Sequence, residues 1–541
     1  MSPVVTARCG EGQTAIPEDS LKTHAELTQY EETSRYEDVL RFLNELQRRS
    51  SLIRLETFGR SQEGRDLPLA ILSDPPIALP RETRDSGKPV VLVLANIHAG
   101  EDEGKEASLH LARRLLLSDL RPLLKKLIVL IVPIYNADGN EQISLTNRVG
   151  QNGPIGGVGR RENAQELDLN RDFVKLEAPE TQSLIRLFNS WDPHVTVDLH
   201  TTDGSYHAYH LTYSIPLNPS LNSKLTDYHR EKMMPALARA MRSRHDFRTY
   251  YYGNFSNDAP EASHPGERAW FAFSPQPRVG VNYFGFRNRL SILSEAYTYL
   301  DFRRRVEVTE AFVEEILRYS AAHAHEIRRL TQTLDREMIA RGARQQEIGV
   351  AYKPEALPKR VEILVGETTK ITNPRSGGEM RAMVENKVTP VKMPDYGMFK
   401  AIRTVPAAKA YLFRAEDGLQ VVRDKLLAHG IAVEQLTAKA TLEIQSFHIG
   451  KVERGEEAFQ QHHQVAIQGE YQTGKIEFGE GTFLVRTSQP LGLLAAYLLE
   501  PESEDGFVTW NFLDAHLEPG RAYPIYKFMR APTLASTGVK K

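Results

Sequence analysis

The chain has 541 residues, more than one hydrophobic core usually serves, so length alone predicts at least two domains. With 41% hydrophobic and 26% charged residues, 68 Lys+Arg against 70 Asp+Glu and a pI near 6.8, the composition is that of a soluble globular protein. It supplies no net field that would favour nucleic acid or an anionic membrane surface. The lone cysteine, Cys9, excludes internal disulfides and thiolate clusters, so any metal must be held by histidine and carboxylate.

Residues 1–24 read as a flexible polar tail without the apolar stretch of a signal peptide, which makes a cytoplasmic protein the default expectation; an exported mature form would look the same. Tyr36, Val39, Leu40, Leu43 and Leu46 then fall at helical spacing, and the first strong strand is 90–95. The longest apolar run, 127–134, is a strand far too short to span a bilayer. Further strands follow at 194–199 and 290–293, separated by helix-length segments such as 107–117 and 180–190. Continuous apolar strands alternating with helices predict an α/β/α sandwich with a mixed, largely parallel twisted sheet, over residues 25–345. It closes with a helical stripe carrying Phe312, Ile316, Tyr319, Ile327, Leu330 and Leu334, ending near Gly342. Beyond residue 350 the pattern shifts to short β-like runs at 361–365, 410–413, 441–444 and 482–485, with one helix at 418–428 stopped by Gly430. Residues 350–541 are therefore expected to form a β-rich mixed accessory domain.

Ligands of open α/β sheets bind beyond the carboxyl ends of the strands, and three strands here end in metal-capable residues. One runs into Asn96-Ile97-His98-Ala99-Gly100-Glu101, another into His200, and the last into Glu295. His98 and Glu101, three apart in a turn entering a helix, would share a face, and a distant His200 would complete a His, Glu, His set. Glu103 competes with Glu101 for the carboxylate position. Such a set fits one catalytic zinc, because three protein ligands leave a position open for water. A separate carboxylate must then handle the proton of that water, and Glu295 is the candidate.

Several flanking motifs together resemble the zinc metallocarboxypeptidase family of carboxypeptidase A type, over roughly residues 30–320. Phe58-Gly59-Arg60-Ser61-Gln62-Glu63-Gly64-Arg65 is similar to its early hairpin signature, and Asn96 to Glu101 to its first zinc motif. Asn136-Ala137-Asp138-Gly139 resembles its Asn-Pro-Asp-Gly turn, with Ala in place of Pro. Leu167-Asp168-Leu169-Asn170-Arg171-Asp172-Phe173 resembles the segment that binds the substrate's terminal carboxylate, Asp198-Leu199-His200 the third ligand, and Ser294-Glu295 the catalytic glutamate.

The resemblance implies that Asp168 orients His98 through its second ring nitrogen, and that Asn170 and Arg171 grip the carboxylate of a peptide. It also implies an arginine facing the oxyanion, but the family's spacing from Asn147-Arg148 lands on Gln151. The charge is therefore expected from Arg148, with Arg160 or Arg161 as alternatives. For the family's mobile tyrosine the candidate is Tyr283, since Phe271 and Phe273 stand where the spacing would place it. His207 and His210 read as buried structural histidines and His462 and His463 as a solvated pair, while Gly153 to Gly159 reads as a flexible substrate loop. The implied activity is hydrolysis of the C-terminal peptide bond by a Glu-activated water at zinc. Two alternatives stay open: a zinc amidase or deacylase acting on N-acyl amino acids or peptidoglycan stem peptides, and a non-catalytic glycan- or peptide-binding protein.

Overall fold

The structure, a computed structural model, describes residues 21–202, 204–256, 268–342, 347–530 and 534–539. Cys9 and most of the expected tail lie outside the described residues.

The first part is built on an eight-stranded sheet: β1 (Ile53–Arg60), β2 (Asp66–Leu72), β3 (Val90–Ala95), β4 (Ile128–Val132), β5 (Val195–Thr201), β6 (Leu211–Ser214), β7 (Thr249–Tyr251) and β8 (Leu290–Ala296), in the order β1-β2-β4-β3-β5-β8-β6-β7. The central pairs β4/β3, β3/β5 and β5/β8 are parallel, as is β6/β7; β1/β2, β2/β4 and β8/β6 are antiparallel. Every residue of β3, β4, β5 and β8 is buried, which requires cover on both faces of the sheet. Helices α1 (Tyr36–Arg49), α2 (Glu103–Leu117), α3 (Pro179–Trp191), α4 (Gly280–Phe286), α5 (Phe302–Ala322) and α6 (Ala324–Gly342) supply it. Phe188 of α3 stacks on Phe284 of α4 with ring centroids 4.6 Å apart.

Two of the sequence motifs meet in the fold. In the turn between β1 and β2, Ser61 Oγ, the Glu63 backbone N–H and Arg65 Nη1 all donate to the Asp138 carboxylate, at 2.6, 2.8 and 2.7 Å. The Gly139 N–H donates to Asn136 Oδ1 at 2.9 Å, and a Cβ at Gly139 would stand 2.7 Å from the Arg160 and Glu162 carbonyl oxygens. The loop bearing Arg160 and Arg161 is thereby seated on that turn.

Residues beyond 346 form a seven-stranded sheet and two further two-stranded ribbons, so the region is β-rich. Two long antiparallel hairpins stand out: a proximal one, Val361–Thr372 with Glu379–Met393, and a distal one, Ala440–Arg454 with Val465–Phe478. Helix α7 (Gly492–Leu499) has all eight residues buried. One continuous apolar cluster runs from Leu21 to Ile525 and includes Tyr497 of α7 packed on Phe286 of α4, ring centroids 5.0 Å apart. Among the described residues, no helix is long and apolar enough to cross a membrane.

Candidate active site

The parallel strands β3, β5 and β8 deliver the chemically interesting residues to one edge of the sheet. After β3 the chain turns through Asn96, in the left-handed region at φ 64°, and the Glu101 N–H donates to the His98 carbonyl at 2.9 Å before α2 begins. This turn brings His98 Nδ1 within 3.0 Å of Glu101 Oε1, while His200 Nδ1 lies 3.1 Å from His98 Nδ1 and 2.9 Å from Glu101 Oε2. All three residues are buried, and their ligand-capable atoms lie within 4.8 Å of one another.

The opposite ring nitrogens explain why this set suits a cation. His98 Nε2 is 2.9 Å from Asp168 Oδ1, and His200 Nε2 is 2.9 Å from Asp198 Oδ2. A neutral imidazole carries one N–H; with a carboxylate oxygen 2.9 Å from each Nε2 favouring the proton there, both Nδ1 lone pairs face each other and the Glu101 carboxylate. Two lone pairs and an anion converging at about 3 Å repel unless a positive charge sits between them. The oxygen and nitrogen donors, with carboxylates behind both histidines, fit zinc.

The electrostatics run the same way. Burial would raise the Glu101 pKa, but Arg148, His98 and His200 outweigh it and hold the carboxyl well below its ordinary range. Burial would lower that of His200, but Asp198 and Glu101 outweigh it and raise it well above the usual value. Asp168 is likewise held low against burial by His98, Arg171 and Arg161. Glu103, the competing carboxylate, turns elsewhere: it accepts from Thr201 Oγ1 and from Arg305 Nε at 3.4 Å, and burial raises its pKa.

A cavity of about 680 Å³ opens over this centre, lined among others by Arg148, Gln151, Arg161, Asn170, Arg171 and Glu295. Arg148 donates to Glu101, and Arg161 bridges Glu101 at 3.5 Å and Asp168 at 2.9 Å. Arg160 does not reach the cavity: it is half exposed and pairs with Glu162 and Glu166, both at 3.3 Å. Gln151 donates to the Gly100 and Gly153 carbonyls at 3.4 and 3.2 Å. Asn170 accepts from the Gly280 N–H at 2.9 Å, and the Arg171 guanidinium lies 5.1 Å from the Phe273 ring centroid. Glu295 on β8 is the register partner of His200 on β5, so the two side chains leave adjacent parallel strands side by side.

Several sequence expectations need correction. Tyr283 is fully buried outside the cavity, bonded to His429 Nδ1 at 2.8 Å and to Arg287 at 3.3 Å, because its side of α4 packs against the C-terminal region. His462 is not a solvated residue; it lies 3.0 Å from Glu177 and 2.9 Å from Asn511. The glycine-rich loop is tied down: the Gly156 N–H donates to Glu31 O at 2.9 Å, and Arg305 Nη2 donates to Gly153 O at 2.6 Å. His207 and His210, by contrast, need no correction: they are buried, as expected, and do not line the cavity.

Sequence reasoning quoted Asp198 only as part of the third-ligand motif and gave it no role of its own, although strand periodicity places it on the same face as His200 two residues later. It also missed Tyr252 and the cavity residues Ser214, Val279, Val281 and Leu293, of which the last three form a small apolar cluster of their own.

Residues 39–283 match the family described as zinc carboxypeptidase. The match ends before Glu295. Carboxypeptidase Z of Mus musculus is 32% identical over 148 residues, which are 26% of this chain and 21% of that protein. Carboxypeptidase 2 of Trichophyton rubrum is 29% identical over 167 residues, 29% of this chain and 27% of that protein. The chain thus spans about a quarter of the length of these relatives. Solved structures similar to the chain include carboxypeptidase A from Helicoverpa armigera (19% identity, TM-score 0.41, 57% of this chain and 80% of that one) and a metallo-carboxypeptidase from Burkholderia cenocepacia (20% identity, TM-score 0.39, 53% and 70%).

Proposed function

We propose that the chain is a zinc metallocarboxypeptidase that removes the C-terminal residue of peptides, with residues 25–345 as catalytic domain and 350–541 as accessory domain. The observation that carries this reading is the convergence of His98, Glu101 and His200, each histidine backed by a carboxylate, beneath a cavity that also presents Arg171, Asn170 and Glu295. His98, Glu101 and His200 would hold zinc, which would supply Lewis acidity to the reaction.

The chain's own residues account for the rest. Arg171 and Asn170 bind the terminal carboxylate of the substrate, the guanidinium offering paired charge-assisted donors. Glu295 takes the proton of the attacking water and returns it to the departing amine. Arg148, with Arg161 beside it, supplies fixed positive charge where the oxyanion develops. Val279, Val281 and Leu293 line the cavity with aliphatic surface, which favours a terminal residue with an uncharged side chain.

The test is zinc content by elemental analysis, paired with mass-spectrometric digestion of a mixed peptide library by wild type and Glu295→Gln. One equivalent of zinc in both proteins, with stepwise C-terminal trimming by wild type alone, is the expected result. Zinc without trimming would redirect the reading to N-acyl amino acids or peptidoglycan stems. Absence of metal from both would sink it.

A further inference from the structure

The tip of the distal hairpin lies against the loop that carries Asp168. Phe459 and His462 face each other across the tip with N···O distances of 2.8 and 3.1 Å, and the two residues between them, Gln460 and Gln461, have φ of 52° and 65°. A two-residue turn with both central residues left-handed favours Asn-Gly, because longer side chains resist that conformation. Two glutamines are held in it here, and the contacts that hold them reach outside the hairpin. The Asp168 N–H donates to Gln460 Oε1 at 2.8 Å, Gln461 Nε2 donates to the Gln165 carbonyl at 2.7 Å, and His462 meets Glu177.

Asp168 is where several donors converge. Its Oδ1 is 2.9 Å from His98 Nε2 and accepts the Asn170 N–H at 2.8 Å, while its Oδ2 accepts from Arg161 Nη2 at 2.9 Å. It caps the short helical turn Leu169–Arg171, so its own N–H points away from that turn, and the acceptor it meets comes from 292 residues further along the chain. A buried backbone N–H without an acceptor is costly, so the loop settles where Gln460 waits for it.

We propose that Gln460 is a positioning residue of the metal centre. By fixing the backbone of Asp168 it fixes the carboxylate that orients His98, and it holds the start of the segment bearing Asn170 and Arg171. This inference rests on the metallocarboxypeptidase reading, and its test is read on metal binding rather than turnover.

Zinc retained against a graded chelator is measured by elemental analysis for wild type, Gln460→Ala, Gln460→Glu and Gln461→Ala, each first checked for an intact thermal transition. Gln460→Ala is expected to bind zinc about 3- to 10-fold more weakly, less than the ~10- to 100-fold loss on removing a ligand-backing carboxylate itself. Gln460→Glu, which keeps an acceptor oxygen at the same reach, and Gln461→Ala, which breaks only the neighbouring bond, are expected to retain wild-type affinity. Wild-type retention by Gln460→Ala, or an equal loss in Gln461→Ala, would overturn the inference while leaving the enzyme reading intact. Failure of the wild type to bind zinc would overturn both.

Discussion

Asp198 and Asp168 hold the outer nitrogens of the two histidines, and their removal should show how much of the metal centre is made by residues that never touch the metal. Asp168→Asn and Asp198→Asn are each expected to weaken zinc binding by about 10- to 100-fold in chelator competition. Glu295→Gln should keep the metal and lower kcat by roughly 10²- to 10⁴-fold, the usual worth of a positioned proton carrier; an unchanged kcat would remove Glu295 from the chemistry. At this scale the apolar runs point to the places of His98, Glu101, His200 and Glu295; the structure gathers the ligand atoms of the first three within 4.8 Å and puts Glu295 among the residues lining the cavity, while their roles are those proposed above. Asp198 could have been read from strand alternation. The choice among Arg148, Arg160 and Arg161 could not, because a loop's sequence does not say which way its side chains turn. Tyr283 was misplaced for a related reason: its distance from Glu295 along the chain says nothing about which side of α4 it occupies.

Among the elements, α2 and β5 set the distance between Glu101 and His200, and Gly104 lets them approach. A Cβ on Gly104 would stand 2.7 Å from Leu199 Cβ, so Gly104→Ala must push the first turn of α2 away from the strand that carries His200. The expected cost is about 1–3 kcal/mol in denaturant unfolding, accompanied by weaker zinc binding. A variant with unchanged stability and affinity would show that the helix can slide without cost. Strands buried on both faces were readable as apolar runs, and 90–95 matches to the residue. The hairpin strands Glu379–Met393 and Val465–Phe478 escaped notice because their exposed positions carry Glu, Lys, Gln and Thr, leaving little apolar signal. The proximal hairpin nevertheless braces the cavity: the Arg381 and Met383 N–H groups donate to Gly150 and Tyr299 carbonyls at 3.2 and 2.7 Å, and Gly150 and Tyr299 both line it.

Across the whole molecule, two buried histidines that do not line the cavity should govern acid stability. Burial pushes His207 and His229 down to about 3, with neighbouring His210 and Arg230 adding to the effect respectively. In the unfolded chain they titrate near 6.5, so folded stability is full above that pH and is lost as pH falls from about 6.5 toward 3. At pH 5 each should cost about 2 kcal/mol relative to pH 7, and His229→Gln should flatten the dependence of denaturant-derived stability on pH. The continuous core predicts a single calorimetric transition for the full chain, and a fragment ending at residue 345 is expected to lack it, since α7 and its partners would be missing.

The same arrangement sets an order of events during synthesis. Residues 98 to 295 precede α7 in the chain, so the apolar seat on α4 and α6 stays open until residues 492–499 have been made. A nascent polypeptide at that stage presents a large nonpolar surface, the kind of surface that holding chaperones bind. On the reading proposed above, the residues that would hold the metal are therefore made before the segment that completes their apolar support.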